Sequence, residues 1–147
     1  MIELVPVTHA LARAVVERTS LGDLPRAADW PHTDTADAFR SLAEHPDDTG
    51  PGTFLVVHDG VVIGDCGWFG PPDDAGEVEI GYGLARSARG QGLGTAAVEA
   101  LLAWVRAQGA VRVRAEVLPA NEASLRLLTR LGFVQVEERA GHLVLRA

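Results

Sequence analysis

The segment Arg86-Ser87-Ala88-Arg89-Gly90-Gln91-Gly92-Leu93-Gly94-Thr95 carries the densest chemistry-bearing pattern in the chain. Glycines at every second position from 90 to 94 free the backbone to curl, so several N–H groups can converge on one anion. The amphipathic stretch that follows adds the positive end of a helix dipole, and Arg86 and Arg89 add full charges. Residues of these types in this order make a phosphate cradle.

The elements around it set which phosphate it can hold. Alternation of Val78, Ile80, Tyr82 and Leu84 against Glu77, Glu79, Gly81 and Gly83 predicts a strand over 77–85 just before the cradle. Leu93, Ala97, Leu101, Trp104 and Val105 form one stripe of a helix over about 92–108, stopped by Gly109. Upstream, a short strand over 1–7 precedes a helix capped by Thr8 and running to about Thr19. Residues 22–34 read as loop, 35–44 as a second helix, and 45–52 as its termination. Phe54–Val57 and Val61–Phe69 form a hairpin around Asp59-Gly60, the pairing that suits a tight two-residue turn. Downstream, Val111–Val117 reads as a strand, Asn121 caps a fourth helix closed by Gly132, and 133–138 and 143–146 are a final strand pair. The order β-α-α-β-β-β-α-β-α-β-β predicts an α/β (α+β) fold. Its mixed, mostly antiparallel sheet has about seven strands flanked by four helices.

With 147 residues the chain fits a single domain over 1–147, burying about 70% of its unfolded surface. Cys66 is the sole cysteine, so no internal disulfide forms, and the five histidines lack metal-ligand spacing; no metal site is expected. The apolar runs are too short to span a bilayer and the N-terminus lacks a signal-peptide pattern, which reads as a soluble cytoplasmic protein. A net charge of −7 argues against a nucleic-acid partner. Residues 1–79 hold fifteen Asp/Glu against four Arg, whereas 80–147 hold five against nine. That asymmetry suits a cation received by the first half and an anion held by the second, although a solvated acidic face explains it equally.

A Walker-type loop needs a lysine, and all thirteen basic residues are arginine. A dinucleotide fingerprint matches at Gly92-x-Gly94-x-x-Ala97, with Glu116 about 20 residues on. Against it, the preceding strand ends at Ala85, both neighbouring strands alternate with charge, and no second mononucleotide half follows.

The stretch from Glu77 to Ala97, with Arg89, Gly92 and Gly94, resembles the acetyl-CoA-binding signature of the GNAT superfamily of N-acetyltransferases. Asn121 to Phe133, with its Asn, Ser124 and terminal Leu-Gly-Phe, resembles the second signature of that family. The element order is also similar, so the resemblance covers nearly the whole chain. Glu79-Ile80-Gly81-Tyr82, and Leu128 where many members carry tyrosine, are most similar to the ribosomal-protein N-terminal acetyltransferase (RimJ/RimL-like) branch.

The resemblance implies transfer of an acetyl group from acetyl-CoA to a primary amine, on a small molecule or a protein N-terminus, by direct attack on the thioester. A catalytically silent CoA-binding regulatory or interaction module is the alternative. It implies a CoA pyrophosphate on the N–H groups of Gln91, Gly92, Leu93, Gly94 and Thr95, beside Gly90, with Arg86 and Arg89 as phosphate contacts. The pantetheine arm would run beside Tyr82, Gly83, Leu84 and Ala85, facing Asn121 and Ser124, which equally suit a helix N-cap and its first turn.

The attacking amine must be neutral. At pH 7 an α-amine is about a tenth neutral and a lysine-type amine about one part in 2,500, so a base helps the first and is nearly essential for the second. Glu79 is the first candidate, opposite the apolar Val78/Ile80 set, with Glu77 on the same face and Glu116 as its rival on the next strand. With Leu128 in the place of a tyrosine acid, Ser124 is the remaining candidate donor to the leaving thiolate. Trp30, His32, Trp68 and Phe69 are candidates for the acceptor side, where aromatic faces favour an ammonium group. Cys66 reads as a buried strand residue rather than an acyl carrier.

Overall fold

The computed structural model describes residues 1–22, 24–31, 39–40, 42–44 and 52–147. Its strands are β1 (Ile2–Pro6), β2 (Thr53–His58), β3 (Val61–Trp68), β4 (Glu77–Leu84), β5 (Arg112–Val117), β6 (Val134–Arg139) and β7 (His142–Arg146). They form one sheet in the order β1-β2-β3-β4-β5-β7-β6. Only β4 and β5 run parallel; the other neighbours are antiparallel. The helices are α1 (His9–Val16), helical residues 39–40 and 42–44 (α2), α3 (Leu93–Ala107) and α4 (Glu122–Arg130).

Local chemistry sets the boundaries. The Thr8 side chain accepts from Leu11 N at 3.2 Å and caps α1. Asp59 and Gly60 adopt φ of 49° and 79°, the left-handed pair that a tight β2/β3 hairpin requires. One turn escapes the sequence pattern: Arg86–Ala88 form a 3₁₀ helix between β4 and the glycine loop. Asp29 supplies the side-chain cap that Ala85 cannot, its carboxylate accepting from Ser87 N and Ser87 Oγ, each at 2.8 Å. The position of β7 between β5 and β6 is the second feature that local patterning did not announce.

Alternation divides the sheet into two faces. Val78, Ile80, Val113, Ala115 and Leu145 pack with Val98, Leu101 and Val105 of α3 and with Leu128 of α4. The other face carries a second cluster in which Leu55, Val57 and Val62 meet Val15, Trp30 and Phe39. Fully burying an aliphatic or aromatic side chain stabilises by roughly 1.5–3 kcal/mol, so both layers hold the sheet in place. On β4 and β5, Glu77, Glu79, Gly81, Arg114 and Glu116 point to the face opposite α3. The sheet therefore separates a helix-covered side from a polar one at its centre.

Candidate active site

The centre of the sheet is split. The β4/β5 register ends at Ile80 opposite Ala115, while β4 continues along β3 to Leu84 and β5 continues along β7 to Val117. Past Ile80, the β4 edge that faces β5 therefore has no strand partner, and its backbone groups are open to an extended ligand arm. Two cavities fill the gap. The larger, about 380 Å³, is lined by Tyr82, Gly83, Leu84, Arg89, Gly90, Gly92, Gly94, Thr95, Asn121, Ser124 and the α4 residues Ala123, Arg126, Leu127 and Arg130. The smaller, about 210 Å³, is bounded by Ile80, Gly81, Ala115, Glu116, Val117, Leu118 and His142. Tyr82, Asn121 and Ser124 line both, so the two spaces meet at these residues.

The phosphate cradle is built as a helix start. Gly92 is the N-cap of α3 at φ 76°, preceded by Gly90 at φ 77°, both left-handed conformations that favour glycine. The first turn of α3 leaves its N–H groups without intrahelical acceptors, and the dipole adds positive potential there. A Cβ at Gly94 would lie 3.0 Å from Leu127 and 3.2 Å from Leu84, so glycine lets α3, α4 and β4 converge at this point. Arg89 lines the cavity while its Nε donates to Leu84 O at 3.3 Å. Arg86 and Gln91 do not line it; Gln91 Nε2 instead donates to Ser87 O within the loop. Ala85 is fully buried, its N–H donating to Ile63 O at 2.7 Å, and Leu93 packs against the core. Arg126 and Arg130, one turn apart on α4, were not singled out from the sequence. The helical spacing that carries Asn121 and Ala123 into the cavity brings them to the same wall.

Asn121 caps α4, its Oδ1 accepting from Ser124 N at 3.2 Å, and still lines both cavities; capping and site position coexist in one residue. The Tyr82 hydroxyl is buried and makes no hydrogen bond among the described residues. Burial raises its pKa.

The carboxylates occupy different environments. Glu79 accepts from Arg114 Nη2 at 2.7 Å and lines neither cavity. Glu77, with its side chain 10% exposed, accepts from Arg114 and Arg146 at 3.2 and 3.1 Å. The bond to Glu79 is the leading reason that the Arg114 pKa is raised, with desolvation opposing it. Glu116 lines the smaller cavity and makes no ion pair or hydrogen bond among the described residues. His142, unmarked in the sequence reading, borders the same cavity, its Nδ1 at 3.4 Å from Ala140 O. Only the β5/β7 register brings it there.

The aromatic candidates separate as well. Trp30 is 2% exposed and its Nε1 donates to Asp65 Oδ2 at 2.9 Å, so burial removes it from the acceptor side. Trp68 packs edge-on to Trp104 at 4.6 Å, on the α3 side of the sheet, and is likewise a packing residue. Phe69 is 73% exposed, and its ring lies over Gly81 on the opposite face. His32 lies outside the described residues. No group of three or more metal-ligating side chains occurs among the described residues, and none of the described helices is long and apolar enough to cross a membrane.

A split α/β sheet with an anion cradle at one end of the split defines a protein suited to an extended, phosphate-bearing ligand. Residues 2–134 match the acetyltransferase (GNAT) domain family. The uncharacterized N-acetyltransferase YjdG of Bacillus subtilis is 29% identical over 113 residues, 72% of this chain and 67% of that protein. Among solved structures, the ribosomal-protein-alanine N-acetyltransferase of Brucella melitensis superposes with a TM-score of 0.66 at 22% identity, covering 100% of this chain and 98% of that one. The yncA protein of Salmonella typhimurium, solved with its cofactor acetyl-CoA, superposes with a TM-score of 0.64 at 21% identity, covering 99% and 92%. The chain belongs to the GNAT family and is an N-acetyltransferase whose acetyl donor is acetyl-CoA.

Proposed function

We propose that this enzyme acetylates a primary amine, on a small molecule or a protein N-terminus, that enters from the sheet face opposite α3. The observation that carries the proposal is the meeting of the two cavities at Tyr82, Asn121 and Ser124, across the β4/β5 split. Acetyl-CoA fits the larger space: its phosphates suit the α3 N-terminus with Arg89, Arg126 and Arg130, and its pantetheine arm suits the open β4 edge. The thioester then lies where the cavities join.

Glu116, which lines the acceptor space and has no ion pair among the described residues, takes one proton from the ammonium. The neutral nitrogen then attacks the thioester carbonyl, a C–N bond forms, the C–S bond breaks with its electron pair on sulfur, and the second proton shed by the nitrogen passes to the departing thiolate. Glu79 is held by Arg114 and shapes the face electrostatically. The Ser124 hydroxyl serves the departing sulfur as a hydrogen-bond donor; a thiolate with an ordinary pKa near 8–9 leaves without a stronger acid. Cys66, the sole cysteine, is buried and free, which accords with action in the cytoplasm. The names of ribosomal-protein acetyltransferase neighbours favour a protein N-terminus as one acceptor class.

Release of free CoA thiol, followed with a panel of amines and N-terminal peptides, tests this. Acceptor-dependent release is expected, and Glu116→Gln should lower kcat at pH 7 by about 10²–10⁴-fold, with a smaller loss for Glu79→Gln. Full activity in Glu116→Gln overturns the assignment of the base. Tight CoA binding without release to any acceptor identifies a silent binding module instead.

A further inference from the structure

The rim of the acceptor cavity carries more than charge. Six large hydrophobic side chains are strongly exposed among the described residues: Met1, Phe69, Val111, Leu118, Val134 and Val136. Val134 and Val136 lie on the edge strand β6, and Val111 covers Gly76. Phe69 and Leu118 differ in location. Leu118, 56% exposed, lines the smaller cavity directly. Phe69, 73% exposed, places Cε2 and Cζ 3.0 and 3.1 Å from where a Gly81 Cβ would stand, and Gly81 is a wall of that cavity. The glycine admits the ring, and Phe69 N donates to Glu79 O at 2.9 Å, which fixes its backbone beside β4.

Two exposed apolar groups, Phe69 and Leu118, therefore flank one mouth, one from each side of the split, and Glu116 and His142 line the same cavity. Exposed apolar surface at a cavity rim is unfavourable in water unless a ligand covers it. The nearby basic groups are already paired: Arg114 with Glu77 and Glu79, and Arg146 with Glu77. That leaves Glu116 as the charge offered to a ligand. Resting on the amine-acetyltransferase reading above, we propose that the mouth selects a primary amine whose ammonium group is flanked by an apolar arm. The ammonium meets Glu116, and the arm lies against Phe69 and Leu118. Branched alkylamines, arylalkylamines and peptides that begin with an apolar residue share this chemistry. Diamines and polyamines do not, since their second charge would fall on the apolar rim.

The test compares kcat/KM for 3-methylbutylamine and 2-phenylethylamine with that for 1,3-diaminopropane and spermidine, using the full chain and saturating acetyl-CoA. The apolar-armed amines should be favoured at least tenfold. Phe69→Ser and Leu118→Ser should each reduce that preference several-fold and together abolish it, acting mainly through acceptor KM. Both side chains are exposed, so the variants keep the fold, and Val136→Ser on the distant edge strand is the control whose preference should not change. Preference for the diamines shows that Phe69 acts as a cation-binding face and overturns the proposal, as does an unaltered preference in both rim variants. Transfer to none of the amines, nor to Leu-initiated peptides, overturns the amine-acetyltransferase reading together with it. Transfer without selectivity overturns this inference alone.

Discussion

Cys66 shows what a single environment does to a side chain. It is 3% exposed within the α3-side core, and burial, reinforced by the Asp65 charge, pushes its pKa from 9.0 up to about 12. In the unfolded chain the thiol ionises near its ordinary value, so above about pH 9 the unfolded state binds fewer protons than the native one. Stability contributed by Cys66 is then complete below pH 9 and falls as pH rises towards 12, by at most about 1.4 kcal/mol per pH unit. Denaturant titrations at pH 8 and 10 should show a larger loss for the native chain than for Cys66→Ala; equal losses would refute the assignment. Tyr82 offers a second residue-scale case. Its buried hydroxyl makes no hydrogen bond among the described residues, and an unsatisfied hydroxyl costs about 1–3 kcal/mol. Tyr82→Phe should leave the ligand-free Tm unchanged or raised, where loss of an ordinary buried hydrogen bond would lower it.

At the scale of elements, β3 and β4 approach closely along the stretch of β4 that borders the split. A Cβ at Gly64 would lie 2.3 Å from Gly83 O and 2.7 Å from Leu84 Cδ2, and backbone cannot yield as a side chain can. Gly64→Ala should therefore cost about 1–3 kcal/mol and weaken acetyl-CoA binding, both measurable by denaturation and a CoA titration. A second element-scale feature is the ladder of Glu77, Glu79, Arg112, Arg114 and Arg146 across β4, β5 and β7. Removing Arg114 leaves a nearly buried Glu77 and a half-buried Glu79 less well compensated. Arg114→Met should destabilise by about 1–3 kcal/mol, less than a fully buried pair would, because water reaches part of the network. An unchanged unfolding midpoint would show that the ladder is ornamental.

The same scale explains what could be read from residue order. Thr8, Asn121, Asp59-Gly60 and the alternation of β4 are local signals, and each produced the element expected of it. The cradle was legible for the same reason, since six consecutive residues build most of it. The 3₁₀ turn at Arg86–Ala88 was not, because its cap, Asp29, lies 58 residues away. His142 reaches the smaller cavity through the β5/β7 register, and Trp30 is withdrawn by burial in the second core cluster and its bond to Asp65. Glu79 looked available on its own strand and became paired by an arginine on another. Long-range contact, absent from any local window, decided all four.

Over the whole molecule, the sheet keeps two kinds of charge apart. The larger cavity is lined by Arg89, Arg126 and Arg130 and by no acidic residue, whereas the smaller carries Glu116. On the proposed reading, a phosphate-bearing donor and a cationic acceptor are attracted to different spaces that meet where the thioester would react. Binding to the native state alone stabilises by about 2.7 kcal/mol at a ligand concentration of 100 times Kd, which raises Tm by about 5–10 °C for a chain of this size. CoA should produce such a shift. With exposed arginines proposed to meet the phosphates, raising salt from 0.05 to 0.5 M should shrink it, as the Debye length falls from above 10 Å to below 5 Å. A pantetheine fragment, which has no pyrophosphate, should give a smaller shift that is nearly insensitive to salt. Arg126→Ser combined with Arg130→Ser should move the CoA response towards that of the fragment. Equal salt dependence for CoA and the fragment would mean that the α4 wall and the α3 N-terminus do not hold the phosphates, and the donor would have to be assigned to another surface.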